Sequence, residues 1–244
     1  MRLVGICAAL WVVAAAILWS NWSDTRRDYY WGNIMQGLEG QPQHLDQEAI
    51  TALAAMGDSV IPSCSYEITH HWNPAFRIAV TKVLEQTSGK GATEILASAA
   101  VKDPTPQVRA NAILSLKARA KTNPAELAAL LKLCDEVALG KTNGDPFPEV
   151  RATAALILAE NGNTADETKA LLVFGLRIPF LRKDMAAALA KVSPDAPPIK
   201  YDAPEKEFTQ AAIAVEKWFE DHGIAPVASS LASITSETTT GDKK

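Results

Sequence analysis

Aromatic residues are scarce in this chain, at 7% of 244 positions, and the alternating runs of Val, Ile, Thr and Tyr that announce strands are missing. No Asn-Gly pair sits between two such runs, so hairpins are not expected. Cysteine is rarer still. Cys7, Cys64 and Cys134 are an odd number, and the last two lie 70 residues apart, which argues against a disulfide framework. Only four histidines are present, His44, His70, His71 and His222. Glu67 and His70 have the spacing of a di-iron helix motif, but the second Glu-x-x-His that such a centre needs is absent, so no metal or other cofactor is expected. A concentrated Lys/Arg face is also lacking and the formal charge is −4, which argues against nucleic acid as a partner. What is plentiful is alanine, which costs least in a helix and lets neighbouring axes approach closely. The composition predicts an all-α protein.

The chain opens on an apolar stretch, "LVGICAALWVVAAAILW", followed by "SNW" before the first acid, Asp24. About twenty such residues suit a membrane-spanning helix. Trp19, Trp22, Trp31, Tyr29 and Tyr30 could form an interfacial belt beside it. Residues 1–22 are therefore expected to be a single-pass anchor inserted through residues 3–22, with 23–45 as a juxtamembrane linker. A cleaved secretory signal, with Ala14 to Ala16 as the cleavage site, is the alternative. A short N-terminus with one Arg favours the cytoplasm, which would leave the remaining domain extracytoplasmic, in the periplasm. Small residues such as Gly5, Ala8 and Ala9 would let the anchor pack against other membrane helices.

A sentence repeats further on. "DPTPQVRANAILSL" begins at Asp103 and "DPFPEVRATAALIL" at Asp145. Aligning on the arginine exposes two more copies, so that Arg77, Arg109, Arg151 and Arg182 head four segments spaced 32, 42 and 31 residues apart. In each, proline stands three before the arginine (Pro74, Pro106, Pro148, Pro179) and leucine seven after it (Leu84, Leu116, Leu158, Leu189). Proline suits a first helical turn, whose N–H groups lack intrahelical partners. Val150, Ala154, Ile157 and Leu158 fall on one helical face, and Phe76, Val80, Val83 and Leu84 repeat the pattern. Other helical segments lie between the copies, with cap signals at Asn123-Pro124 and at Thr164 with Glu167. A helix pair of this size cannot bury both apolar faces alone, so the spacing predicts stacking into a solenoid.

These segments resemble HEAT repeats, especially the short bacterial form in which the second helix opens "D-P-x-x-V-R-x-x-A-x-x-x-L"; Asp145, Pro146, Val150, Arg151, Ala154 and Leu158 match it, as do Asp103, Pro104, Val108, Arg109, Ala112 and Leu116. "AITALAAMGDSVIP", Ala49 to Pro62, is similar to the junction of the same repeats. The resemblance covers roughly residues 46–192 and implies an α-solenoid of about four helix pairs that binds other macromolecules. It also implies that the four arginines bond acids or carbonyls of an adjacent turn and keep the stack in register.

The 42-residue interval carries an insertion around "GKTNGDPFP". Insertions in solenoids protrude from one face, which makes Lys141, Thr142, Asn143 and Phe147 candidate partner contacts. The embedded "GKT" is not a phosphate loop, since Asp135 replaces the required glycine and a helix precedes it. A proline-rich connector, residues 193–204, leads to a last amphipathic helix, 205–222, expected to cap the stack. Its Trp218 is a further candidate contact, and 223–244 reads as a disordered tail.

No catalytic residues emerge. Cys64 and His71 are seven apart and could share a helical face, but no third group orients them. The expected function is a membrane-tethered, non-enzymatic scaffold for protein partners, such as an accessory subunit of a membrane complex. The alternative is a lyase or chaperone for a protein-bound chromophore, by resemblance to the HEAT-like bilin lyases.

Overall fold

Pro74, Pro106 and Pro148 are each the first residue of an α-helix in the computed structural model of the protein. The chain before each proline is turned by an Asx residue whose side-chain oxygen accepts the backbone N–H two positions on. Asn73 takes that of Ala75, Asp103 that of Thr105 and Asp145 that of Phe147, at 2.8–2.9 Å. Such bonds satisfy N–H groups that would otherwise have no partner at a helix start. The fourth copy differs: Pro179 opens a short 3-10 turn, Pro179–Leu181, and the α-helix starts only at Arg182. Asn163, not Thr164, supplies the turn before the preceding helix, accepting from Ala165 N at 2.9 Å and Thr168 Oγ1 at 3.0 Å.

The structure describes residues 11, 22–39, 45–140, 144–225 and 227. Among them all regular structure is helical and no strand occurs. The helices are α1 (22–39), α2 (Gln47–Ala54), α3 (Ile61–His70), α4 (Pro74–Gln86), α5 (Ala92–Lys102), α6 (Pro106–Thr122), α7 (Leu127–Leu139), α8 (Pro148–Glu160), α9 (Asp166–Gly175), α10 (Arg182–Val192) and α11 (Glu205–Asp221). They fall into two compact units, one ending at Ile95 and the other beginning at Leu96, within α5.

In the first unit α4 packs on α2 and α3. Helix α1 occupies most of the segment assigned to a linker. Its Trp31, Ile34 and Leu38 are buried, and the Trp31 indole N–H donates to Ser63 Oγ at 2.9 Å while its ring lies 5.3 Å from that of Phe76. A tryptophan placed by sequence in a membrane belt is thus a core residue, because a partner 32 positions away satisfies its one polar atom.

In the second unit α8 touches α6, α7, α9 and α10, and α7 touches α9. Every residue from Ala152 to Ala159 is buried. The single apolar face expected for this segment is therefore a helix buried all round, as its position among four neighbours requires. Gly175 lets α9 approach α10: a Cβ there would lie 2.6 Å from Met185 Cε. The four repeat leucines are 0%, 3%, 5% and 3% exposed from Leu84 to Leu189. This arrangement is consistent with an α-solenoid of helix pairs.

Helix α11 buries Phe208, Val215 and Phe219 in a core shared with Leu172, Leu176 and Met185. Each such side chain contributes about 1.5–3 kcal/mol of burial. Gly223, at φ +81°, ends the helix, and Ile224 N returns to Phe219 O at 2.9 Å. The rest of the expected tail, residue 226 and residues 228–244, lies outside the described residues.

The expectation of a single-pass membrane protein is corrected. No helix among the described residues is long and apolar enough to cross a membrane. Of residues 3–22, where the span was expected, only Trp11 and Trp22 are described.

Candidate interaction site

The repeat arginines share one contact. Arg77, Arg109 and Arg182 each donate to the backbone carbonyl six residues earlier: to His71 O at 2.8 Å, Asp103 O at 2.7 Å and Leu176 O at 3.3 Å. That carbonyl belongs to the turn leading into the arginine's own helix, so the side chain braces the turn against the helix. Arg109 adds a carboxylate from the next copy. Its Nε and Nη2 meet Asp145 Oδ2 and Oδ1 at 2.6 and 2.8 Å, with both side chains 6% exposed. Arg182 grips Glu205 in the same two-pronged way, at 2.7 and 2.9 Å, and lies 4.3 Å above the Phe208 ring. Arg177 also ties α11 down, its single Nη2 donating to both oxygens of Glu216 at 2.8 and 3.0 Å. Sequence reasoning passed over Glu205 and Glu216; Asp145 was named as a repeat position and an acid of an adjacent turn was expected for the arginines, but not this pairing.

Arg151 departs from the pattern. Its Nε donates to Ala138 O, at 2.9 Å, thirteen residues back instead of six. The inserted segment places the end of α7 where the preceding turn lies in the other copies, and Asp145 N bonds to Val137 O at 3.0 Å.

Residues Gly144 to Phe147 form the turn that ends the insertion. Phe147 is 42% exposed, with the Arg109 guanidinium 5.3 Å from its ring centroid. The turn separates two hollows. One, of about 270 Å³, is lined by Val101, Arg109, Val137 and Phe147, and the other, of about 660 Å³, by Leu139, Arg151 and Glu167. Gly144, Asp145 and Pro146 line both. Lys141, Thr142 and Asn143, expected here as contacts, lie outside the described residues. Trp218 is elsewhere and half-buried, stacked on His222 at 3.9 Å and edge-on to Phe219 at 5.0 Å. The structure does not bring it to the turn's hollows.

The residues considered for chemistry are held in other ways. Burial pushes the Cys64 thiol up to about 12, with a further upward contribution from Glu67, and burial alone does the same for Cys134. A thiol so raised is a poor nucleophile at neutral pH. His70 stacks on Tyr66 at 4.6 Å, and His71 lies on Phe76 at 4.1 Å with Nδ1 accepting from Asn73 N. Among the described residues no cluster of His, Cys, Asp and Glu could hold a metal ion.

With this geometry in view, a family model described as HEAT repeats matches residues 33–117 and, in a second overlapping match, residues 61–139. HEAT repeats are thus detected over residues 33–139. The matches begin inside α1 and end with α7; beyond them α8, α9 and α10 pack against one another. No curated protein and no solved structure matches the chain.

Proposed function

We propose that this protein is a non-enzymatic HEAT-repeat scaffold that holds a protein partner, with the Gly144–Phe147 turn as its contact. HEAT repeats present helical surfaces that other proteins bind. The observation that carries the choice of site is the immobilised turn itself. Asp145 is clamped by Arg109 and caps the turn through Phe147 N, so the exposed Phe147 ring is held at the smaller hollow at little entropic cost on binding. Rigid aromatic anchors of this kind dominate interface energetics. Lys141, Thr142 and Asn143 extend the proposed contact along the same insertion. Trp218 is a weaker candidate, since its ring is already engaged by His222. Arg77, Arg109 and Arg182 serve the stack, bracing each turn against its helix.

Site-specific photocrosslinking tests this reading. A benzoylphenylalanine at position 147, expressed in the native host, is expected to give a discrete protein adduct that the same group at the exposed Glu207 does not. Equal labelling from both positions, or none from either, would count against the proposal.

A further inference from the structure

Among the described residues Arg151 lacks the carboxylate that Arg109 and Arg182 each hold. In the copy before it, the acid held by Arg109 is Asp145, which stands six residues before the next repeat arginine. By that register, the acid for Arg151 should stand six before Arg182. That position is Leu176, an uncharged side chain fully buried in the core. Arg182, at the end of the series, obtains its acid from α11 instead, through Glu205. Arg151 has no such substitute. Its Nε is committed to Ala138 O, and among the described residues its guanidinium makes no ion pair.

The same side chain lines the hollow of about 660 Å³ beside the Gly144–Phe147 turn. Two acids share that hollow. Asp145 has both oxygens engaged by Arg109 and one of them also by Phe147 N, so its charge is already balanced. Glu167 is exposed at the start of α9, where water and salt screen it. An incoming anion therefore meets Arg151 as the unbalanced charge of the hollow, next to the apolar Leu139 and Pro146.

We infer that Arg151 binds an aspartate or glutamate side chain of the protein partner, completing in trans the pair that Arg109 makes in cis. This rests on the scaffold reading and names the chemistry of its partner. The chain itself shows the chemistry twice, since Arg109 and Arg182 both combine a backbone carbonyl with a bidentate carboxylate.

The test uses the full chain labelled with 15N-arginine and a peptide copy of residues 144–148, acetyl-Gly-Asp-Pro-Phe-Pro-amide. The Arg151 Nε–H resonance, assigned by its loss in R151Q, is expected to shift saturably below about 10 mM peptide. Replacing the peptide's aspartate by asparagine should weaken the response at least about tenfold, the cost of losing a charge-assisted pair. That comparison uses the wild-type chain and does not depend on R151Q folding. No saturable shift, an equal response to the asparagine peptide, or an equal response to inorganic phosphate would overturn the assignment. In the crosslinking experiment above, an adduct formed equally by wild type and R151Q would also overturn it while leaving the scaffold reading intact; loss of every adduct from position 147 in wild type would instead remove the scaffold reading.

Discussion

Arg109 and Asp145, 36 residues apart, are joined by two parallel hydrogen bonds of 2.6 and 2.8 Å and are almost fully withdrawn from solvent. Each also bonds backbone: Arg109 to Asp103 O, and Asp145 to Phe147 N. The pair thereby ties the start of α6 to the start of α8. Removing one partner leaves the other charged and buried. D145A should destabilise the chain by about 3–5 kcal/mol, and R109A by a similar amount. In a double-mutant cycle by urea unfolding, the combined variant should be clearly less destabilised than the sum of the two. Strict additivity would mean that the pair is not coupled.

The repeat leucines carry the shared core. L116A and L158A each remove a buried side chain and should cost about 2–5 kcal/mol. V101A, at an exposed site, should stay within about 0.5 kcal/mol. Thermal or chemical unfolding of the three variants checks the contrast, and it fails if the exposed and buried substitutions cost the same.

Acid should loosen α11. Hydrogen bonds from Arg182 hold the Glu205 carboxyl below the usual glutamate range, outweighing an opposing effect of desolvation, with charge attraction to the same guanidinium adding to the lowering. A depressed pKa stabilises the fold above the ordinary value of about 4.3, and that contribution is lost as pH falls through the lower folded-state value. The indole resonance of Trp218, on the same helix, should shift below about pH 4 in wild type. In E205Q that component should be absent.

The two buried thiols should be silent in the native protein. In a Cys7→Ser background, a thiol-specific disulfide reagent at pH 8 should label neither Cys64 nor Cys134 until guanidinium is added. Their raised pKa values also mean that stability is retained below the ordinary thiol range and declines as pH rises above it toward about 12. Rapid native labelling of either residue would contradict the burial assigned to it.

Periodicity made the helix starts readable. Pro74, Pro106 and Pro148 each occupy a first helical position, and α11 spans Glu205–Asp221, because proline at a helix start and an apolar stripe are local properties. Contacts between distant residues were harder to read. The burial of Trp31 in α1 is one such case: its partners Ser63 and Phe76 lie 32 and 45 positions along the chain. The expected membrane span found no support: no described helix is long and apolar enough to cross a membrane, and of residues 3–22 only Trp11 and Trp22 are described. At the candidate site, Phe147 is exposed, and its place in a longer interval between copies was legible. The clamp on Asp145 was not, since the partner of a long arginine side chain depends on the register between neighbouring repeats. The rerouting of Arg151 to Ala138 O follows from the inserted length, which spacing alone does not convert into a path.

The shared core is tested most directly by native-state hydrogen exchange along α8. If helix pairs hold no interior of their own, the helix touched by four others should be the last to open. Amides from Ala152 to Ala159 should then exchange only with unfolding of their whole unit, well after those of α11. Exchange in α8 as fast as in α11 would contradict the stacked arrangement on which the account depends.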